Sequence, residues 1–194
     1  MTDAAIPPSR QRAIQMARQV VEAKPVYIDT ETTGIDRSDE IIEISIIDWN
    51  GAELFQSFIR PSKPIPQSAI DIHHITDEMV AAAKPWPIIW PTVRGLLINR
   101  VAAAYNSEFD MRMLQQSLEI YRLPWRDRLQ SVDIMRIYAE YRGEWDPNRR
   151  NFRFFKLDQA GKDLGISIPN AHRATADTLL ARAVVHVVAG LPYE

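Results

Sequence analysis

Apolar positions along this chain change period several times, and each change marks an element. Over residues 9–23, Ile14, Ala17 and Val21 recur at helical spacing until Lys24 and Pro25 end the pattern, which predicts a leading helix. Val26, Tyr27 and Ile28 then open a strand. Two β-rich runs follow at 40–49 and 52–59, joined by Asn50 and Gly51. Both residues of that pair tolerate positive φ, which predicts a type I′ hairpin between antiparallel strands. Between Pro61 and Pro91 six prolines punctuate short helices, one of them carrying Ile72, His73 and His74. If that stretch is helical, the adjacent histidines face different ways and do not share a metal, and His74 is read as structural. Residues 101–105 predict a fourth strand leading into a helix over 108–121, and 130–134 a short fifth strand followed by a helical turn to Tyr141. Gly143 to Pro147 breaks the pattern, 157–164 is a short helix closed by Gly165, and an apolar helix runs through Ala189. There is no repeat and no low-complexity tract. This order predicts an α/β fold.

Acidic residues interrupt the pattern in informative places. Asp29 and Glu31 alternate along the first strand, so their carboxylates share a face about 6.6 to 7 Å apart, room enough to hold metal ions, while Thr30 faces the other way. Gly34 marks where that strand turns. On the helix over 108–121, Asp110 lies in the apolar stripe of Met113, Leu114, Leu118 and Tyr121, opposite Arg112, Gln115, Glu119 and Arg122. A capping box from Ser107 to Asp110 explains this equally well. On the last helix, Asp177 is central to a stripe of Leu180, Ala181, Val184, Val185 and Val188, with Arg182 and His186 opposite, and no serine or threonine stands three residues before it. A carboxylate on a buried face is costly unless it is paired or binds a metal.

Composition narrows the chemistry. The chain has 194 residues, 46% of them hydrophobic, enough for one domain with a substantial core: a packing helix at 1–24 belonging to the same unit as residues 25–194. No apolar run approaches the roughly 18 residues of a membrane span, and no secretory leader is evident, so a soluble, cytoplasmic protein is expected. The Arg-rich first helix faintly resembles an organelle transit peptide, but it runs straight into the first strand and reads as a packing helix. Cysteine is absent, which excludes disulfides, thiolate nucleophiles and zinc–thiolate sites. Four inward carboxylates without cysteine suit hard divalent cations, Mg²⁺ or Mn²⁺, and two such ions are the arrangement that stabilises phosphoryl transfer. His172, five residues before Asp177, is placed to exchange protons with water there. A net charge of −2 does not attract polyanions globally, so a nucleic-acid contact would be short and local. The run from Arg149 to Lys156 interleaves Arg149, Arg150, Arg153 and Lys156 with three phenylalanines, a composition that suits a solvated loop with anchoring aromatics or a contact to a single strand.

Asp29-x-Glu31 within Asp-Thr-Glu-Thr-Thr-Gly, Asn106-x-x-x-Asp110, and His172-Arg173-Ala174-x-x-Asp177 together resemble the three motifs of the DEDDh exonucleases, the group that includes the proofreading subunit of bacterial DNA polymerase III. In the tyrosine-bearing branch the catalytic residue stands four before the last aspartate; here that position is Arg173, so the histidine branch fits. The resemblance implies a ribonuclease H-like, five-stranded mixed sheet flanked by helices, with strands two and three antiparallel to strand one. It also implies two Mg²⁺ or Mn²⁺ ions, with Asp29 bridging, Glu31 and Asp177 on the nucleophile side, Asp110 on the other, and His172 as general base. Thr32, Ile35, Ile72, His73, Asn106 and Phe109 would line the pocket for the terminal nucleotide. The family often has glycine where this chain has His74. The implied activity is 3′-to-5′ release of nucleoside 5′-monophosphates from DNA ends, single strands preferred. Alternatives are an exoribonuclease with the same chemistry and a catalytically silent nucleic-acid-binding module, the latter opposed by the presence of all five motif residues. The chain stops at Glu194, just past its last helix, where several relatives carry a polymerase-docking tail, so a stand-alone nuclease is expected; a homodimer stays open.

Overall fold

The computed structural model describes residues 7–169 and 172–193. A five-stranded sheet lies at its centre: β1 (Val26–Thr32), β2 (Ile41–Ile47), β3 (Glu53–Phe58), β4 (Val101–Ala104) and β5 (Gln130–Asp133), in the spatial order β3-β2-β1-β4-β5. β1 is parallel to β4 and β4 to β5, whereas β2 is antiparallel to both β1 and β3. β3 therefore runs in the same direction as β1, which corrects the expectation that strands two and three both oppose it. A hairpin reverses the chain once more, so only β2 opposes the rest.

β1 and β2 are buried on both faces, and their near-continuous apolar runs reflect this. On one face Tyr27 and Ile47 pack against α8 (Ala174–Ala189), with α1 (Pro8–Glu22), α6 (Ile134–Arg142) and α7 (Leu157–Asp163) around it. On the other, Val26, Ile28, Ile44 and Ile46 pack against α4 (Trp86–Leu97) and α5 (Ser107–Ile120). α1 buries Ala13, Ala17 and Val20 against α6 and α8; of the expected stripe Ala17 is fully buried and Val21 packs half-buried beside it, while Ala13 rather than Ile14 takes the inner position. α8 differs more from expectation: Arg182 and His186 are buried too, since the chain after Gly190 folds back over them. Arg182 donates to the carbonyls of Trp49 and Tyr193, and His186 Nδ1 lies 2.7 Å from the Pro192 carbonyl.

Two turns depart from their predicted form. In the β2–β3 hairpin only Gly51 has positive φ, at 89°, and its amide donates to the Asp48 carbonyl while Asp48 N–H donates to Ala52. This is a three-residue loop closed by glycine in place of a type I′ turn. α2 (Gln67–His73) ends at His74, which adopts φ 59° and ψ 18°. That left-handed C-cap is the conformation glycine favours, which explains why glycine suits the position and gives His74 the structural place expected of it. His74→Gly is accordingly expected to stabilise the protein by about 1 kcal/mol, read as a higher denaturant midpoint at unchanged slope.

The segment 143–156 is more ordered than a solvated loop. β6 (Trp145–Asp146) and β7 (Asn151–Phe152) pair as a small antiparallel hairpin, with the Trp145 and Phe152 rings edge to face at 5.4 Å. Among the described residues no helix is long and apolar enough to cross a membrane.

Candidate active site

The sheet brings the predicted acids to one end of β1. Asp29 and Glu31 extend from β1 toward α8, whose first turn presents Asp177, and one carboxylate oxygen from each of the three lies within 4.8 Å of the others. Asp110 approaches from α5 on the opposite face. Its Oδ1 accepts a 2.8 Å hydrogen bond from the Thr30 hydroxyl, so the strand's alternation serves both sides of the site. The capping box does not form: Asn106 is the N-cap of α5, with φ 73°, and no side chain caps that helix.

Electrostatics in this cluster are unfavourable without a cation. Burial, followed by repulsion from Asp110, Glu31, Asp177 and Glu43, raises the pKa of Asp29 well above the ordinary carboxylate range. Glu31 is pushed up to about 8 by burial and then by Asp177, Glu43 and Asp110, with Arg173 opposing. Burial pushes Asp110 up to about 7, against the hydrogen bonds it accepts. Carboxylates held this close suit a divalent ion, which replaces the protons they would otherwise retain. The donor set is all oxygen and therefore hard.

His172 is exposed, with φ 46°, and lines a cleft of about 490 Å³ together with Asp29, Asn106 and Asp177. The far wall of this cleft is Phe154, Phe155 and Lys156, secured where Tyr105 Oη donates to the Phe155 carbonyl at 2.9 Å. Phe154 also lines a second cavity of about 420 Å³ beneath the β6–β7 hairpin, which Arg149 and Arg153 border. The structure therefore keeps those two arginines out of the cleft and ties them loosely to Asp146 and Glu144, at 3.8 Å each. Arg150 is exposed at the hairpin tip. Phe154 and Lys156, which line the cleft together with Asp29 and Asp177, had the same compositional signal as the arginines, but only the path of the chain after β7 distinguishes them.

The remaining predicted positions lie on β1, the loop after it, α2 and the start of α5. Thr32 is buried, and its hydroxyl donates to the Gly34 carbonyl at 2.7 Å. Ile35 and Ile72 are 73% and 56% exposed, unusual for isoleucine and suited to an apolar ligand face. Gln116 on α5 fixes the loop between β1 and β2 by donating to the carbonyls of Asp36 and Asp39, at 2.7 and 2.6 Å. A Cβ at Gly34 would come within 2.5 Å of the Asp39 carboxylate, so only glycine fits at this turn. His73 is buried and accepts the Ile75 N–H at Nδ1; burial lowers its pKa, and the backbone of Thr32 partly offsets this. Asn106 donates its backbone N–H to Asp133 Oδ1 at 3.1 Å. Phe109 is half-buried with the Arg112 guanidinium 5.2 Å from its ring, and packs on the α5 side of the core without lining the cleft.

Asp39, Glu40 and Glu43 are buried acids that the sequence reading did not single out, and Glu43 is the one paired across from Glu31. It lies on β2 and is 1% exposed. A lone charge inside the apolar run Ile41-Ile42-Glu43-Ile44 was the available signal, since such a charge in a doubly buried strand needs a partner.

The fold coincides with that of a known family. The chain belongs to the exonuclease family, whose model matches residues 26–185. It is 36% identical over 182 residues to an uncharacterised exonuclease, CP81, of Escherichia phage 186, covering 90% of this chain and 93% of that one. Among solved structures, the nuclease domain of 3′hExo, a DEDDh family member bound to rAMP, superposes with a TM-score of 0.62 at 19% identity, over 82% of this chain and 88% of that one. Exonuclease X in complex with 5′ overhanging duplex DNA superposes with a TM-score of 0.59 at 23% identity, over 86% and 93%. The ribonuclease H-like fold and the exonuclease class of hydrolase stand as expected from the motifs.

Proposed function

We propose that the protein is a 3′-to-5′ exonuclease that removes nucleoside 5′-monophosphates from DNA ends, single strands preferred, with two divalent ions, Mg²⁺ or Mn²⁺, held by Asp29, Glu31, Asp110 and Asp177. The observation that carries this reading is the convergence of Asp29, Glu31 and Asp177 on one point beside His172, with Asp110 behind. When bound, the ions would supply Lewis-acid stabilisation of the negative charge that develops on the attacking and leaving oxygens. His172 takes a proton from the attacking water as its oxygen bonds to phosphorus. The bond to the 3′-oxygen of the penultimate nucleotide breaks, and that oxygen takes a proton from solvent water as the monophosphate leaves. Ile35 and Ile72 face the terminal nucleotide, Thr32, His73 and Asn106 border it, and Phe109, which does not line the cleft, backs the α5 side. The strand behind it passes over Phe154 and Lys156 toward Arg149, Arg150 and Arg153, consistent with a role in DNA repair or proofreading.

The neighbour solved with duplex DNA and the Asp-Thr-Glu-Thr-Thr-Gly string support DNA. The neighbour solved with rAMP supports RNA as the second reading with the same chemistry. End-labelled single-stranded DNA, duplex DNA and RNA incubated with Mg²⁺ or Mn²⁺ separate these readings. Shortening from the 3′ end is expected, abolished in Asp29→Ala. No degradation of any substrate, or full activity in Asp29→Ala, sinks the mechanism. For the strand path, Lys156→Ala is expected to lower the slope of log affinity against log salt by about 0.7, one phosphate contact on a single strand, measured by anisotropy in Ca²⁺. Arg149→Ala and Arg153→Ala should change the slope less, their charges being shared with Asp146 and Glu144.

A further inference from the structure

Glu43 is not one of the four acids, yet it faces them. In the antiparallel register it stands directly across from Glu31, a like-charged pair that is unfavourable by itself. Its carboxylate is fully engaged instead. Oε1 accepts from Arg173 Nη2 at 2.7 Å and from Gln56 Nε2 at 3.0 Å, and Oε2 accepts from Arg173 Nε at 3.1 Å and from the Ala174 N–H at 3.0 Å. The two arginine contacts make a bidentate fork, stronger and more directional than a single bond. Phe58, paired with Glu43 from β3, lies 5.3 Å from the guanidinium carbon, so Arg173 is gripped between a ring and a carboxylate.

Where Arg173 lies makes this grip consequential. It is the N-cap residue of α8, and its own side chain caps nothing. The Ala174 amide is one of the donors left open at a helix start, and Glu43 satisfies it from a different element, with its negative charge at the positive end of the helix dipole. Directly before it stands His172, in a left-handed conformation uncommon for a residue with a side chain. His172 has no hydrogen bond of its own among the described residues.

We infer that Glu43 is a positioning residue for this reaction: through Arg173 it holds the turn that carries His172 over the carboxylate cluster, and it caps the helix that carries Asp177. The inference rests on the exonuclease reading for its kinetic consequence, while its structural part stands apart from activity.

Kinetics and amide exchange together test it. On a short single-stranded oligodeoxynucleotide, Glu43→Gln is expected to lower kcat about tenfold, with KM and Mn²⁺ affinity within about twofold of the unaltered chain. In a His172→Ala background the same change should cost less than about twofold, because both substitutions remove one contribution. Arg173→Lys, which keeps the charge and loses the fork, is expected to fall between Glu43→Gln and the unaltered chain. Deuterium exchange at the Ala174 amide should accelerate about tenfold in Glu43→Gln, a readout that needs no catalysis and decides the positioning claim even if the unaltered chain hydrolyses nothing. Additive losses in the double variant, a loss expressed in KM or Mn²⁺ affinity, or unchanged exchange at Ala174 would each overturn the inference. Should Glu43→Gln fail to fold, the Arg173→Lys and His172→Ala cycle decides it by the same non-additivity.

Discussion

Raising the pH of the metal-free protein from about 4.5 to about 8 is expected to destabilise it, with Mg²⁺ or Mn²⁺ reversing the loss. Glu31 ionises near 4.5 in an unfolded chain and near 8 in the fold. Between those values the native state retains a proton that the unfolded state has released, so stability falls as pH rises. The contribution is fully present below about 4.5 and gone above about 8. Asp29 and Asp110 are raised in the same direction and add to the effect. Summed over the cluster, the change is on the order of a few kcal/mol. A divalent ion that binds only the native site replaces those protons, so its stabilisation should grow over the same pH window. Unfolding midpoints in EDTA and in Mn²⁺, taken from pH 5 to 8, check this. Asp29→Asn removes one repelling charge and one ligand, so it should raise the midpoint in EDTA at the upper end and blunt the response to metal. Midpoints independent of both pH and metal would show that the four carboxylates do not form one coupled site.

His172→Ala should separate proton transfer from metal binding. General-base assistance is worth about 10²- to 10⁴-fold, so kcat is expected to fall by that much. The stabilisation by Mn²⁺ should stay at its original size, because His172 lies outside the three oxygens that converge. Asp177→Asn is the contrasting case and should lose both. If His172→Ala also loses the metal response, the imidazole is a ligand and its assignment as base is wrong.

The site was legible where one residue's chemistry conflicted with its local pattern. Asp110 and Asp177 stood on apolar helix faces and Asp29 and Glu31 alternated on one strand, and in each case the helix or strand period alone fixes the direction of the side chain. The same reasoning failed for Arg182 and His186, because a helical wheel shows one face turned from the sheet but not the chain end that later covers it. Glu43 was missed for a related reason. The partners that tie it to the site, Arg173 and Ala174, are about 130 residues away, and no local pattern carries information about a contact at that distance. The direction of β3 was misjudged although the hairpin that sets it had been recognised, since two reversals restore the original direction.

Alternation and periodicity by themselves determined the α/β class, the inward direction of four acids, and through the motif order the family. They could do so because side-chain direction in a strand or helix is set within a few residues. Tertiary structure alone decided that Thr30 supports Asp110, that Phe154 and Lys156 rather than the arginines wall the cleft, and that Glu43 grips the turn bearing His172. Each of these is a contact between elements distant in sequence, made when the sheet brings β1, β2, α5 and α8 to one end.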